Sequence, residues 1–140
     1  MPVADLARDD VVTADAEASV DELASTLKER NVGSVVVTRD DESVGIVTDR
    51  DLTVRVLAAG IDPTDTTAAD VMTEDPCTID RRAGFYRATE LMSEHGVRRL
   101  PVHDEDGDLV GILTADDLTE LLADEMDGVA EIIRAQRPPY

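Results

Sequence analysis

Two short segments carry the polar residues best placed for chemistry. Gly45-Ile46-Val47-Thr48-Asp49-Arg50-Asp51-Leu52 and Gly111-Ile112-Leu113-Thr114-Ala115-Asp116-Asp117-Leu118 share one pattern: glycine, two aliphatic residues, threonine, two variable residues, aspartate, leucine. A threonine closing a strand, with an aspartate three residues on, is close to a capping box that satisfies the first free N–H groups of a helix. A carboxylate at a cleft edge can also accept hydrogen bonds from the vicinal hydroxyls of a ribose, while a helix N-terminus favours a nearby phosphate. The residues alone leave capping and ligand binding open, and the two roles are compatible.

These segments belong to a longer repetition. Ala4 through Val37 lies without a gap on Ala69 through Val102, and after one extra loop residue Val44 through Thr48 lies on Val110 through Thr114. A period of about 65 residues is too long for a solenoid unit, and two copies are too few for a stacked array. The arrangement predicts one domain built by pseudo-two-fold pairing of two half-domains, with small-ligand clefts at the seam. The copies diverge in charge, because Arg98-Arg99 stand where the first copy has Gly33-Ser34. Two unequal sites are therefore expected, one supplied with cations and one without them, and Asp116 beside Asp117 adds a charge that repels phosphate.

The elements that must position these residues follow from periodicity. Ser19-Val20-Asp21-Glu22 reads as a capping box opening a helix whose inward positions are Val20, Leu23, Ala24 and Leu27, ending near Asn31. In the second copy Phe85, Ala88 and Met92 keep the face and Gly96 supplies a left-handed stop, but Gly84 and Arg87 replace the capping pair, predicting a looser start. Val35-Val36-Val37 and Val44 through Val47 form one predicted hairpin, and Leu100-Pro101-Val102 and Leu109 through Leu113 another. Each hairpin leads into a helix, Asp51 to about Ala59 and Asp117 to about Met126. The fold class is α+β, two β-α-β-β-α repeats over 1–66 and 67–127 in one integrated module. Residues 128–140 add a helix, Gly128 to Arg134, and a Pro138-Pro139-Tyr140 end expected to fray.

Composition narrows the function. The chain of 140 residues is 42% hydrophobic, enough for one real core, and has neither a basic-then-apolar leader nor a long apolar run. A soluble cytoplasmic protein is expected. With 32 acidic and 13 basic residues the net charge is −19, and Lys28 is the single lysine, a balance that resembles proteins adapted to molar intracellular salt. It argues against nucleic acid and anionic membranes as partners. One cysteine, Cys77, excludes an internal disulfide and a multi-thiolate zinc site, and is expected as a packed core thiol. The acidic turn Asp104-Glu105-Asp106-Gly107-Asp108 misses the EF-hand template, with glycine at its fourth position, and is read as a solvated hairpin turn, so no metal site is assigned. His95 and His103 accompany no plausible nucleophile, and no phosphate loop or nucleophile elbow is present, so the expectation is a binder with no catalytic residues.

The repeated pattern, its spacing and the Ala69-Asp70-Val71-Met72 opening resemble the CBS domain, the module named for cystathionine β-synthase that occurs as tandem pairs. The resemblance runs from about Val3 to Met126. It implies that Asp51 holds the ribose of an adenine nucleotide or S-adenosyl group with Thr48 nearby. It further implies that Arg98 and Arg99 reach the phosphates of that same ligand from the other repeat, with Arg50 a third donor. Adenine needs an apolar slot, and by position the opening strands Val12-Thr13-Ala14 and Cys77-Thr78-Ile79 supply it, Thr13 and Ala14 for the first site and Thr78 and Ile79 for the second. The second site joins Thr114, Asp117 and Ser34, and is expected to be empty or to hold a less anionic ligand. The implied function is a stand-alone regulatory homodimer with no required cofactor, sensing AMP, ADP, ATP or S-adenosylmethionine and signalling to an effector protein on another chain. The alternative is a constitutive homodimeric interaction module whose clefts are vestigial and whose Thr/Asp pairs only cap helices.

Overall fold

The computed structural model describes residues 1–139; Tyr140, at the end of the tail expected to fray, lies outside the described residues. The first copy runs through β1 (Thr13–Asp15), α1 (Val20–Arg30), β2 (Ser34–Arg39), β3 (Glu42–Thr48) and α2 (Asp49–Leu52), which widens into a π-helical turn over Thr53–Leu57. Next come α3 (Ala68–Val71) and β4 (Thr73–Glu74), then β5 (Ile79–Asp80), α4 (Phe85–His95), β6 (Arg99–His103), β7 (Leu109–Thr114) and α5 (Ala115–Ala135). The expected helix after Gly128 is the unbroken continuation of α5.

The strands form two sheets, ordered β1-β2-β3-β4 and β5-β6-β7. In each, the opening strand lies parallel to the first hairpin strand, because a helix crosses over between them, and the hairpin pairs antiparallel. Asp40 and Asp41 take positive φ at the first hairpin turn, a conformation their short polar side chains tolerate. Helix α1 is capped by Ser19 Oγ, which accepts the Glu22 N–H at 3.2 Å, and it stops at Asn31 with φ 51°. The returning bond of the expected capping box is absent, so this cap is one-sided. Helix α4 starts at Gly84 with no side-chain cap and ends at left-handed Gly96.

Each copy's opening segment crosses to the other copy's sheet. The N–H groups of Val3 and Ala4 donate to the carbonyls of Ala83 and Arg81, and those of Ala68 and Ala69 donate to the carbonyls of Ala18 and Ala16, the matching positions of the repeat. The exchange is driven by burial: Val3, Leu6 and Ala7 pack in the core beside Ile79, Leu100 and Leu113, while Ala68, Val71 and Met72 pack beside Leu23, Val37 and Val47. Strand β4 then lies on β3, and Arg8 bridges Ile112 of β7 in the corresponding place. This crossing explains the glycine of the repeated pattern. A Cβ on Gly111 would sit 3.0 Å from the Arg8 carbonyl oxygen, and one on Gly45 would run into the Met72 side chain.

Candidate functional site

Both Thr/Asp pairs complete capping boxes. The Thr48 N–H donates to Asp51 Oδ2 at 2.9 Å and the Asp51 N–H returns to Thr48 Oγ1 at 3.1 Å; for Thr114 and Asp117 the distances are 2.8 and 3.2 Å. Each carboxylate thus uses one oxygen for the cap. The other faces a cation, Asp51 Oδ1 lying 3.7 Å from Arg55 and Asp117 Oδ1 3.4 Å from Arg8.

Thr48 and Asp51 open onto a cleft of about 530 Å³ between the copies. Ile46, Pro76, Cys77 and Val97 give it an apolar wall, and Arg50, Arg98 and Arg99 a cationic side, so the structure brings together the three cations and the Thr/Asp pair singled out from sequence. Arg98 reaches Asp116 at 3.5 Å with both side chains exposed. The side chains of Arg50 and Arg99 have no carboxylate partner among the described residues, and Arg99 is half-buried. Acidic Asp49 and Asp75 share the rim, and His95 turns its Nδ1 toward the Leu91 carbonyl at 3.0 Å.

The wall is built from different residues than position in the repeat suggested. Thr13 and Ala14 do not line this cleft; they lie within β1, paired with Val36 and Val37. Pro76 and Cys77, on the approach to β5, take that place, because the approach to each opening strand reaches the seam while the strand itself stays in its own sheet. The crossing that delivers Arg98 and Arg99 applies to the base slot as well. Cys77 is consequently half-buried in the cleft wall instead of sealed in the core, and burial pushes its thiol pKa up.

A second, smaller cleft of about 180 Å³ occupies the matching place. Ser34 and Thr114 line it as expected, with Val11 and Val12 as wall. Thr78 and Ile79 do not: Thr78 faces an acidic depression between the two hairpin turns, and Ile79 is 2% exposed in the core. The expectation that this cleft lacks cations is corrected by Arg8 and Arg99, which both line it. Arg8 escaped the sequence because its counterpart, Thr73, is uncharged and because the opening segment's exchange is a long-range event. Asp117, 7% exposed and paired with Arg8, lies outside the lining.

The remaining candidates resolve locally. Asp104 Oδ1 accepts the N–H groups of Asp106 and Asp108, both at 2.9 Å, so the acidic cluster organises its own hairpin turn. His103 Nδ1 lies 2.9 Å from the Asp104 carbonyl. No described helix is long and apolar enough to cross a membrane.

The CBS domain family model matches residues 3–58 and 68–124. An uncharacterized protein of Methanopyrus kandleri is 36% identical over 120 residues, covering 85% of this chain and 61% of that protein, so the chain spans about three fifths of that relative's length. Among solved structures, a CBS domain protein from Pyrobaculum aerophilum complexed with AMP matches with TM-score 0.76 and 28% identity, over 84% of this chain and 89% of that one. A CBS domain pair in complex with 5′-methylthioadenosine and S-adenosyl-L-methionine matches with TM-score 0.81 and 25% identity, over 89% and 98%.

Proposed function

Because the chain belongs to the CBS domain family, whose members act as regulatory modules, we propose that its larger cleft senses a phosphate-bearing adenosine ligand and signals occupancy to a partner protein. The observation that carries this is the convergence on one apolar-walled cleft of Arg50 and half-buried Arg99, neither with a carboxylate partner among the described residues, and Arg98, in a chain of net charge −19. With 32 carboxylates available, a guanidinium left unpaired in an apolar-walled cleft is matched to an anion from outside. Asp51 Oδ1, free of the cap, accepts ribose hydroxyls in place of its longer contact to Arg55. The adenine ring lies against Ile46, Pro76 and Val97. AMP, ADP and ATP fit this charge better than S-adenosylmethionine, and the relative complexed with AMP supports the choice. The protein acts in the cytoplasm as a homodimer through its exposed apolar helix faces, and its acidic surface suits high salt.

The interaction-module alternative draws on one observation: both Thr/Asp pairs complete helix caps without any ligand. Isothermal titration calorimetry in about 2 M KCl with AMP, ATP and S-adenosylmethionine separates the two. Tight binding by the parent that is lost in folded Asp51→Ala and survives in Asp117→Ala upholds the sensor; absence of heat from every ligand leaves the interaction module.

A further inference from the structure

Arg99 borders both clefts. It opens β6 at the seam, and its guanidinium lies over Gly33: a Cβ there would come 2.6 Å from Arg99 Nη2. The missing side chain at position 33 is therefore the slot through which Arg99 reaches the smaller cleft. Nothing reaches the opposite way, since Arg99's counterpart in the repeat is Ser34 and Gly33's counterpart is Arg98. The larger cleft holds Arg50 and Arg98 besides Arg99. The smaller one holds Arg8, already 3.4 Å from Asp117, beside Asp10 and Asp116, which pair with Arg30 and Arg98.

We propose that Arg99 is a single anion-binding group shared by the two clefts, so that a phosphate-bearing ligand in one lowers the affinity of the other for a second. This rests on the adenosine reading of the larger cleft and extends it to coupling between clefts. A guanidinium drawn into bidentate contact with a phosphate on one side is withdrawn from the other. The smaller cleft is then left with no uncommitted cation, since Arg8, Asp10 and Asp116 each already have a partner, which disfavours a phosphate but is indifferent to an uncharged nucleoside. The coupling is reciprocal by linkage. The chain is thereby built to hold one phosphate-bearing ligand, with a phosphate-free adenosyl compound admitted beside it.

Titration calorimetry with AMP on the parent, Gly33→Ala and Ser34→Arg tests this. The parent should take one AMP per chain tightly and a second about tenfold or more weaker, the scale of one charge-assisted hydrogen bond. The added methyl in Gly33→Ala meets only the far end of a flexible side chain and confines Arg99 to the larger cleft, so the first AMP binds at least as well and the second more weakly still. Ser34→Arg gives the smaller cleft its own arginine and should bring the second AMP close to the first. Two AMP molecules bound with equal affinity by the parent, unaltered in Gly33→Ala, overturn the sharing alone. Failure of the parent and of Ser34→Arg to bind AMP overturns the adenosine reading and this inference with it.

Discussion

At Asp51 and Asp117 the two oxygens of one carboxylate divide the work: Oδ2 closes the cap and Oδ1 faces an arginine. Removing either side chain therefore has a structural consequence whatever binds. Asp117→Ala should lower stability by about 0.5–2 kcal/mol in urea denaturation through the lost cap, and Asp51→Ala similarly, while only the latter removes the tight nucleotide site. Cys77 offers a reporter at the same scale. Burial raises its thiol pKa, so thiolate is scarce at neutral pH and disulfide exchange with an aromatic disulfide should be slow, and slower again when AMP fills the cleft whose wall it forms. Asp80 titrates differently: its hydrogen bonds from Arg82 lower its carboxyl from the usual 3.8 to about 2. A folded-state pKa below the unfolded one contributes stability that is present above pH 3.8 and lost as pH falls toward about 2. In Arg82→Ala the Asp80 midpoint, followed by carboxyl NMR shifts, should move back up. The residues of the larger cleft were largely legible in the sequence, since the Thr/Asp spacing and the unmatched Arg98-Arg99 are local facts. Arg8 and Pro76 were not, and Cys77 was visible only as part of a candidate strand without the cleft it serves, because their place depends on where a segment crosses the seam.

The repeat was visible at the level of elements, yet the unit of repetition and the unit of packing differ by the exchanged opening segment. Periodicity shows that Val20, Leu23 and Leu27 share a helix face; it carries no information about which half-domain buries Val3. The pattern glycines record the exchange indirectly, as positions where another chain segment passes too close for a side chain. Gly111→Ala pushes a methyl against the Arg8 carbonyl, itself hydrogen-bonded to the Ile112 N–H at 2.9 Å, so neither backbone yields easily. Overpacking of this kind should lower stability by about 1–3 kcal/mol in thermal or urea unfolding. Val3, fully buried although only two residues from the chain start, gives the complementary test. Val3→Ala should destabilise by about 2 kcal/mol, and amide exchange should accelerate first in β5, β6 and β7, the sheet its side chain packs beside.

For the whole molecule, charge and exposed apolar surface pull in opposite directions. Helix α5 carries Leu122, Met126, Val129 and Ile133 on one stripe, between 51% and 72% exposed, and from Met126 onward this lies beyond the family match that ends at 124. A stripe at such spacing has no reason to face water unless another surface covers it, and the proposed homodimer supplies one. Bringing two chains of −19 together is opposed by repulsion that reaches about 10 Å at 0.1 M salt and about 3 Å at 1 M. Burial of the stripe does not weaken in the same way, so association should strengthen as KCl rises. Light scattering coupled to gel filtration should show the dimer fraction climbing between about 0.1 and 2 M KCl. The paired change Met126→Glu and Val129→Glu should leave a folded monomer at every salt concentration, because it puts charge in the middle of the covered face. A parent mass that ignores salt, or a double variant that dimerises as the parent does, would place the dimer interface elsewhere on the molecule and leave the α5 stripe without a part in it.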